Sequence, residues 1–305
     1  MYIFDFIMDI NSILRKSSKE LTKAGVATAS LDARVLLEDV IKKDSSAIFS
    51  HPEMPLTNSQ YSRYRSLIRR RKAGEPVAYL VGHKEFYGYD FYLNKNVLIP
   101  RPETELVVEN ALHFLEYRIK NGELSNKSEL NIIDIGTGSG CIIISLSKEI
   151  PKLEIENWKL KIKLCASDVS RKALYVARKN AKLHQVNKDI KFYNSDLFSN
   201  KQMPKKYDII IANLPYVPTS YKPQAKSLSY EPKEAIFAGD NGTHIIKIFL
   251  DQAKDRINKD GLILIEVDHR NAKELYNWTK KIYPKAKIEL LKDLAVLDRV
   301  IRILI

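Results

Sequence analysis

The sequence predicts an α/β protein in which an N-terminal helical bundle precedes a Rossmann-like domain with a doubly wound parallel sheet. Three observations support this fold class. Residues 1–82 carry apolar side chains at helical spacing. From Leu130 onward, short apolar strands alternate with helical stretches, as in α/β domains. A glycine-rich turn, Gly136–Gly140, follows the first of these strands.

This pattern divides the 305 residues into three segments. We expect a helical bundle at 1–82, a β-hairpin linker at 83–99 and the α/β domain at 100–305. Aromatic residues alternate around Gly88 in the linker, which is typical of a hairpin. Prolines on both sides of Arg101 stiffen the chain after the hairpin, so this arginine is expected to be held in place.

Helix boundaries in the bundle follow from apolar spacing and capping residues. From Ile3 onward, apolar side chains mark one face of a first helix. Ser17–Glu20 fits a capping box that begins a second short helix. Thr57 can cap a later helix, and Pro76 and Gly82 delimit the last one.

Seven strands are predicted in the third segment, with helical stretches between the first five. Because the last two strands are close in sequence, they can form an antiparallel edge of the sheet. Residues 154–161 have the pattern of an extended edge or an insertion. The predicted strands lie near 130–135, 162–167, 190–194, 207–212, 261–267, 286–291 and 298–304.

The chain is basic, with 50 Lys and Arg against 37 Asp and Glu and a net charge of +13. A nucleic-acid partner is one explanation, and a surface coated with lysine is another. The densest basic stretch is Arg63–Lys72. It can contact RNA or an acidic protein surface, or it can be the solvated face of a helix.

Composition also argues against several classes of protein. No apolar run approaches the ~20 residues of a spanning helix, and Asp5 and Asp9 interrupt the apolar start, which argues against a signal peptide. Cys141 and Cys165 are the only cysteines, so a reducing cytoplasm fits better than a disulfide framework. The six histidines are scattered, and no metal site is expected.

The glycine-rich turn and the acid after the next strand have the features of a nucleoside site. Glycine lets the backbone pass close to a ligand, and the following helix begins with free N–H groups. Asp168 ends the second predicted strand beside this turn and can accept both hydroxyls of a ribose. The turn itself consists of Gly136, Thr137, Gly138, Ser139 and Gly140.

The end of the third predicted strand can extend this site, because open α/β sheets bind ligands at the carboxyl ends of their strands. Asp196 can accept the exocyclic amine of an adenine, and Leu197 can cover the face of its ring. Both residues also fit an ordinary turn at the end of a strand.

The tip of the fourth predicted strand, Asn213–Tyr216, is polar, rigid and aromatic. The oxygen of Asn213 and a backbone carbonyl, that of Leu214, can each accept one N–H of a flat amide or nucleobase amine. Pro215 stiffens the tip, and the ring of Tyr216 can lie over the bound plane. These strand ends therefore describe a methyl donor that faces an amine or amide acceptor.

Motifs along nearly the whole chain resemble the HemK/PrmC family. Members are S-adenosylmethionine-dependent methyltransferases that modify the side-chain amide of the glutamine in the GGQ motif of peptide-chain release factors. The Pro-Arg-Pro-Glu-Thr-Glu run is the most specific motif and sets the chain apart from DNA adenine methyltransferases. The motifs are Tyr79–Gly82, Phe86–Gly88, Val97–Glu105, Tyr230–Pro232, Ala235, Gly239, Asp240, Gly242 and Asp298–Arg299.

The resemblance implies a cofactor, a partner and roles for the site. The cofactor is S-adenosyl-L-methionine, with S-adenosyl-L-homocysteine as product, and Asn213 touches both cofactor and substrate. The partner is a release factor, which residues 1–82 would recognise and Arg101 would help to bind. Asn213, Leu214, Pro215 and Tyr216 form the catalytic tip. We expect a cytoplasmic monomer with no membrane association, and we do not favour direct nucleic-acid binding.

Two departures from the family pattern keep other functions open. Leu214 replaces the first proline of the usual Asn-Pro-Pro-Tyr, and Asn-Leu-Pro-Tyr is similar to the tip of rRNA adenine dimethyltransferases. The alternative function is therefore adenine-N6 methylation of RNA or DNA. Glu266-Val-Asp268 also differs, because the family tends to have glycine after the Glu-aliphatic pair. A non-catalytic binding module would not need the glycine turn, Asp168 and Asn213 together.

Overall fold

The computed structural model describes residues 9–125, 127–153, 160–221 and 226–305. They form two compact units. The first contains the described parts of Met1–His83 and Pro223–Tyr230, and the second those of Lys84–Lys222 and Glu231–Ile305. None of the helices described is long and apolar enough to cross a membrane.

Within its described residues, the first unit has five α-helices around one apolar core, to which Ile13, Leu36 and Tyr64 contribute fully buried side chains. Thr57 caps the fourth helix through a capping box with Gln60, as predicted. Pro76 and Gly82 delimit the fifth, also as predicted. The helices are α1 Ile10–Lys23, α2 Ala29–Ile41, α3 Ser45–Ser50, α4 Asn58–Lys72 and α5 Val77–Val81.

The prediction that a second helix begins at Ser17 was wrong. Ser17 is fully buried inside the continuous helix α1, on the same face as Ile13 and Leu21. A small hydroxyl side chain at a core position mimics a capping residue in sequence. The true N-cap is Asp9, whose carboxylate accepts from the backbone N–H of Ser12 at 2.7 Å. Ile3, from which the first helix was predicted, lies outside the described residues.

The basic cluster of α4 is paired with acids rather than left as a bare positive face. Arg65 binds Glu20 on α1 at 2.9 Å, and Arg71 binds Asp32 on α2 at 2.7 Å. Arg63 and Arg70 also form ion pairs within this unit. Much of the positive charge of Arg63–Lys72 is therefore neutralised locally, which weakens the RNA interpretation of this cluster.

A short hairpin, β1 His83–Phe86 and β2 Tyr89–Tyr92, comes next. Its turn residues Tyr87 and Gly88 both have positive φ, at 53° and 76°, as a type I′ turn requires. The predicted hairpin was too long, because the chain from 93 to 99 is irregular apart from a turn. In that turn the side chain of Asn94 accepts from the N–H of Asn96 and so replaces strand pairing.

The second unit is organised around a seven-stranded sheet with the order β5-β4-β3-β6-β7-β9-β8. The first five of these strands in space are parallel, and β9 is antiparallel to both its neighbours. The predicted Rossmann-like α/β class and the antiparallel edge are confirmed. The strands are β3 Glu129–Ile135, β4 Lys161–Asp168, β5 Ile190–Asn194, β6 Tyr207–Ala212, β7 Ile257–Glu266, β8 Lys287–Lys292 and β9 Asp298–Leu304.

Helices cover the sheet, but one helix that the sequence predicted, between the third and fourth predicted strands, is not observed. Between β5 and β6 the residues 195–206 form turns and no helix. The hydroxyl of Ser195 accepts from the N–H of Asn200 at 3.0 Å, and such local side-chain bonds compete with a helix. The helices are α6 Glu105–Lys120, α7 Cys141–Glu149, α8 Arg171–Leu183, α9 His244–Lys254 and α10 Ala272–Ile282. Of the predicted edge or insertion at 154–161, residues 154–159 lie outside the described residues.

Strand β6 lies at the centre of the sheet, and every one of its residues is buried. It pairs with β3 on one side and β7 on the other, with Ile211 opposite Asp134 and Leu264. A continuous apolar strand is what two covered faces require. Because β3 to β7 all run in the same direction, their carboxyl ends meet at one edge, where the candidate site lies.

Candidate active site

The glycine-rich turn after β3 is tied to the end of β4 by backbone hydrogen bonds. The N–H groups of Gly136 and Thr137 both donate to the carbonyl of Ser167, at 2.8 and 2.9 Å. The N–H of Gly138 donates to Asp168 Oδ2 at 2.9 Å. Gly136 and Gly138 have φ of 75° and 54°, which favours glycine at both positions.

Gly140 has a different role in the structure from the other two glycines. It is the N-cap of α7 with φ of 83°, and it is not part of the cavity wall. A Cβ at this position would lie 3.2 Å from the Cβ of Ala177 on α8 and 2.9 Å from Ile144 Cδ1. The missing side chain therefore lets α7 and α8 pack closely.

Two carboxylates hold the turn in place: Asp134, which is buried, and Asp168, which is half-buried. Asp134 is fully buried and accepts from the hydroxyl of Thr137 at 2.6 Å, and burial raises its pKa to about 7. Its second oxygen, Oδ1, has no hydrogen-bond partner among the described residues. Burial also raises the pKa of Asp168, although its oxygens accept from the N–H groups of Ser170 and Gly138.

The turn after β5 presents Asp196 and Leu197 to the same cavity. Asp196 is exposed and Leu197 is buried. Leu197 has φ of 47°, a conformation that residues other than glycine adopt at a cost. The hydroxyl of Ser195 stabilises it by donating to the carbonyl of Leu197 at 2.8 Å. Such strain at the wall of a cavity is typical of functional sites.

At the end of β6, the side chains of Asn213 and Tyr216 converge on one carboxylate. The amide Nδ2 of Asn213 donates to Glu266 Oε2 at 2.9 Å, and the hydroxyl of Tyr216 donates to Glu266 Oε1 at 3.1 Å. Asn213 Nδ2 also lies 3.3 Å from the hydroxyl of Thr104, which itself bonds Glu266. Glu266, at the end of β7, is only 2% exposed.

This carboxylate fixes which way the Asn213 amide faces. An ionised carboxylate accepts hydrogen bonds and cannot donate them, so Glu266 selects the NH₂ end of the amide. The carbonyl oxygen of Asn213 then points away from Glu266. Burial raises the pKa of Glu266, while hydrogen bonds from Thr104 and Tyr216 oppose this rise. Burial, and then the charge of Glu266, raise the pKa of Tyr216 well above its ordinary value.

Arg101 is held in place, as expected from the prolines on both sides of it. The residue that holds it is Glu231, which the sequence analysis did not identify as a site residue. The guanidinium of Arg101 donates to Glu231 Oε1 at 2.6 Å, and the other oxygen of Glu231 accepts from the N–H of Ile99 at 3.0 Å. Glu231 is buried and Arg101 is about one-third exposed. Arg101 therefore reaches the cavity wall from a fixed position.

Leu214 connects the tip of β6 with the glycine turn. Its side chain is buried, and its Cδ2 lies 3.0 Å from the place that a Cβ on Gly136 would occupy. Where the family usually has a proline, this chain thus has a side chain that packs on the glycine turn. Substituting Gly136 would push against this contact.

One cavity brings together all the predicted site residues except Gly140 and Tyr216. Sequence reasoning missed Glu266 and Thr104, both of which bond Asn213. The sequence does show that an acid, Glu266, ends the strand β7. It does not show that β7 lies next to β6, and without the spatial order of the strands the acid cannot be assigned to the site. The residues along the cavity wall are Arg101, Gly136, Thr137, Gly138, Ser139, Asp168, Asp196, Leu197, Asn213, Leu214 and Pro215.

Comparison with known protein families gives two matches. Residues 12–82 match the PrmC N-terminal domain, and residues 121–226 match the methyltransferase small domain. Fold, cavity and these matches define a methyltransferase with an S-adenosylmethionine-type methyl donor. A curated release factor glutamine methyltransferase is 34% identical to this chain, with 89% of that protein covered. The chain therefore belongs to this family, and the resemblance identified from the sequence is confirmed.

Curated relatives support this membership. The chain is 34% identical over 270 residues to the release factor glutamine methyltransferase of Coxiella burnetii. This alignment covers 88% of this chain and 89% of that protein. The chain is also 34% identical over 278 residues to the bifunctional methyltransferase of Rickettsia felis, which covers 85% of this chain. The chain spans about half the length of that relative, 51%.

A solved structure shares the fold. The hMettl16 catalytic domain in complex with MAT2A 3′UTR hairpin 1 has a TM-score of 0.52 and 14% sequence identity, covering 99% of this chain and 94% of that one. At this identity the likeness concerns the fold alone.

Proposed function

We propose that this protein transfers a methyl group from S-adenosyl-L-methionine to the side-chain amide nitrogen of the glutamine in the GGQ motif of peptide-chain release factors, which supports translation termination. S-adenosyl-L-homocysteine is the second product. The name of the relative from Coxiella burnetii supports this substrate. The observation that carries the proposal is the hydrogen bond from Asn213 to Glu266, because it orients a carbonyl oxygen for an N–H donor.

The cavity wall fits the donor. Gly136 has a positive φ of 75°, and a Cβ there would lie 3.0 Å from Leu214 Cδ2, so any larger residue would disturb the backbone turn that lines the cavity. In this proposal the turn from Gly136 to Ser139 and Asp168 hold the donor, with Asp196 and Leu197 at its adenine. When bound, S-adenosyl-L-methionine supplies an electrophilic methyl group on a sulfonium.

The tip of β6 would position the acceptor. An amide nitrogen is a poor nucleophile because its lone pair is delocalised into the carbonyl. The side-chain oxygen of Asn213 and the backbone carbonyl of Leu214 would each accept one N–H at ~2.9 Å. Both dipoles would stabilise the positive charge that develops on the nitrogen as it takes the methyl group and the carbon–sulfur bond breaks, and one N–H proton would then pass to water. The fixed geometry reduces the entropy cost of the reaction. Pro215 stiffens the tip.

Two neighbouring residues would act as supports in this scheme. Tyr216 acts through Glu266, because its hydroxyl bonds that carboxylate and its side chain does not form part of the cavity wall. Arg101 is placed to donate a hydrogen bond to a carbonyl of the protein substrate, since the ion pair with Glu231 occupies only part of its five N–H donors.

We also propose how the chain divides this work. Residues 1–82 recognise the protein substrate, 83–99 form a linker, and 100–305 catalyse methyl transfer. The enzyme acts as a cytoplasmic monomer. The ion pairs of the Arg63–Lys72 cluster support a protein substrate over RNA, because they leave less free positive charge for phosphate groups.

The test is transfer of labelled methyl from S-adenosyl-L-methionine into three acceptors. These are a purified release factor, its variant with the GGQ glutamine changed to alanine, and bulk RNA. We expect label in the first acceptor alone. Label in RNA, or equal label in the alanine variant, would overturn the proposal. As a second readout, Asn213→Ala should abolish turnover while donor binding persists.

A further inference from the structure

The turn between β8 and β9, Asp293–Leu297, exposes a row of apolar side chains. Leu294 is fully exposed, Val296 is 68% exposed and Leu297 is 37% exposed. Exposed apolar side chains that occur singly are ordinary, but three within four residues form a small patch. We call these five residues the apolar turn.

The apolar turn is held rigidly in shape. The carboxylate of Asp293 accepts from the N–H groups of Ala295 and Leu297, both at 2.9 Å. The backbone N–H of Asp293 donates to the carbonyl of Leu297 at 2.9 Å. A backbone that is already ordered loses little conformational freedom on binding, which favours the use of this turn as a contact.

Val296 adopts a conformation that its side chain disfavours. Its φ is 64°, and a β-branched residue in the left-handed region is an outlier that glycine would avoid. The valine side chain is largely exposed, so no packing within the described part of the chain explains its presence. A strained backbone that presents an exposed apolar group indicates a functional contact.

The apolar turn lies at the same edge of the sheet as the acceptor tip. Strand β9 pairs with β7 such that Val300 lies opposite Glu266, and β9 begins next to the turn. Arg299 connects the two places, because its Nε donates to Asp293 Oδ2 at 2.7 Å while its backbone carbonyl accepts from the N–H of Val267 at 2.8 Å. The patch is therefore continuous with the framework that holds Glu266.

We propose that the apolar turn is a docking contact for the release factor, which packs an apolar patch near its target glutamine against Leu294 and Val296. This inference rests on the proposed function. A folded protein that inserts one side chain into the cavity must rest its neighbouring surface on the rim of the site. The turn offers apolar surface there, and its charged neighbours Asp293 and Lys292 are paired with Arg299 and Asp298. That chemistry suits a protein surface rather than a phosphate backbone.

Two variants and one control test this role. Leu294→Asp places a charge at the centre of the contact, and Val296→Gly removes the side chain while relieving the backbone strain. The control is Leu183→Asp, which changes another exposed leucine, 57% exposed, at the end of α8. That end of the helix faces the opposite edge of the sheet, because helices run antiparallel to the strands they connect.

We expect Leu294→Asp to raise KM for intact release factor about tenfold or more and Val296→Gly about threefold, within the range of single interface residues. Donor affinity by titration calorimetry and kcat at saturating substrate should match the wild type in both variants, and Tm should not fall in either. Leu183→Asp should leave KM unchanged. Wild-type KM in both turn variants would overturn the inference. A wild-type enzyme that leaves release factors unlabelled would instead refute the proposed function, and this contact with it.

Discussion

Replacing Glu266 by glutamine should slow methyl transfer without unfolding the protein. The two side chains have the same shape, and Glu266 is almost fully buried. The change converts one acceptor oxygen into an NH₂ donor and removes a charge whose burial is unfavourable, as its raised pKa indicates. The melting temperature should therefore stay the same or rise, while the orientation of the Asn213 amide changes.

The size of the effect follows from the two donors that meet Glu266. Glutamine can keep its oxygen towards Asn213, but then the hydroxyl of Tyr216 faces an NH₂ group and its proton has no acceptor. In the other orientation the oxygen accepts from Tyr216, and the NH₂ group donates to the carbonyl of a flipped Asn213. A buried hydroxyl without an acceptor costs about 1–3 kcal/mol, so the flipped state dominates by roughly 5- to 150-fold.

The assay is kcat with labelled methyl at saturating donor and release factor. We expect a decrease of about 5- to 150-fold, since a flipped Asn213 presents a donor to the substrate N–H. Donor affinity should be unchanged. The control is Glu274→Gln, which removes an exposed carboxylate on α10 that pairs with Lys247. Adding Tyr216→Phe to the glutamine variant removes the hydroxyl that forces the flip, so this double variant should recover part of the lost rate.

The pH profile gives an independent check. Burial raises the pKa of Glu266, so protonation begins at a higher pH than for an ordinary glutamate. Protonated Glu266 can donate a hydrogen bond as glutamine does, and kcat should fall as the pH drops through this raised pKa. The glutamine variant should lack this acidic limb. A variant with more than half of the wild-type kcat, or with the same acidic limb, would refute the orienting role.

Three other predictions concern the supports of the site and of the helical unit. Gly136→Ala should weaken donor binding about tenfold in titration calorimetry, whereas Gly122→Ala, with a similar positive φ but open space around it, should not. Because burial raises the pKa of Asp134 to about 7, the folded state binds more protons than the unfolded state between about pH 4 and 7. Wild-type stability is thus lost as pH rises through this window, so Asp134→Asn should gain unfolding free energy relative to wild type in urea titrations from pH 5 to 8. Arg71→Met removes the ion pair of the buried Asp32 and should lower the unfolding free energy by ~3 kcal/mol, unlike Arg69→Met at an exposed position.

Local sequence determines the parts of this fold that could be predicted. Each predicted strand corresponds to an observed one, because an apolar run such as Ile209–Ala212 forms a strand wherever both faces are covered. Thr57 and Gly82 delimit helices through contacts within a few residues. Ser17 misled the prediction because its surroundings in the core come from other helices, which its own neighbours in sequence do not reveal.

Contacts between distant residues explain what could not be predicted in the site. Glu266 is 53 residues from Asn213, and Glu231 is 130 residues from Arg101. Neither pair has a spacing that a helix or hairpin would impose. The positive φ of Leu197 could not be predicted either, since a leucine in a turn has no distinctive sequence pattern.

The two halves of the site are stabilised differently. Substitutions in one half should therefore change donor affinity, and substitutions in the other half should change kcat. The donor side is held by backbone hydrogen bonds from the glycine turn to β4 and Asp168. The acceptor side is held by side chains that meet at Glu266 on β7. Changes at Asp168 should therefore act on donor affinity, and changes at Glu266 on kcat. Leu214 packs on the turn from the acceptor side, so substitutions of Gly136 should affect both quantities together.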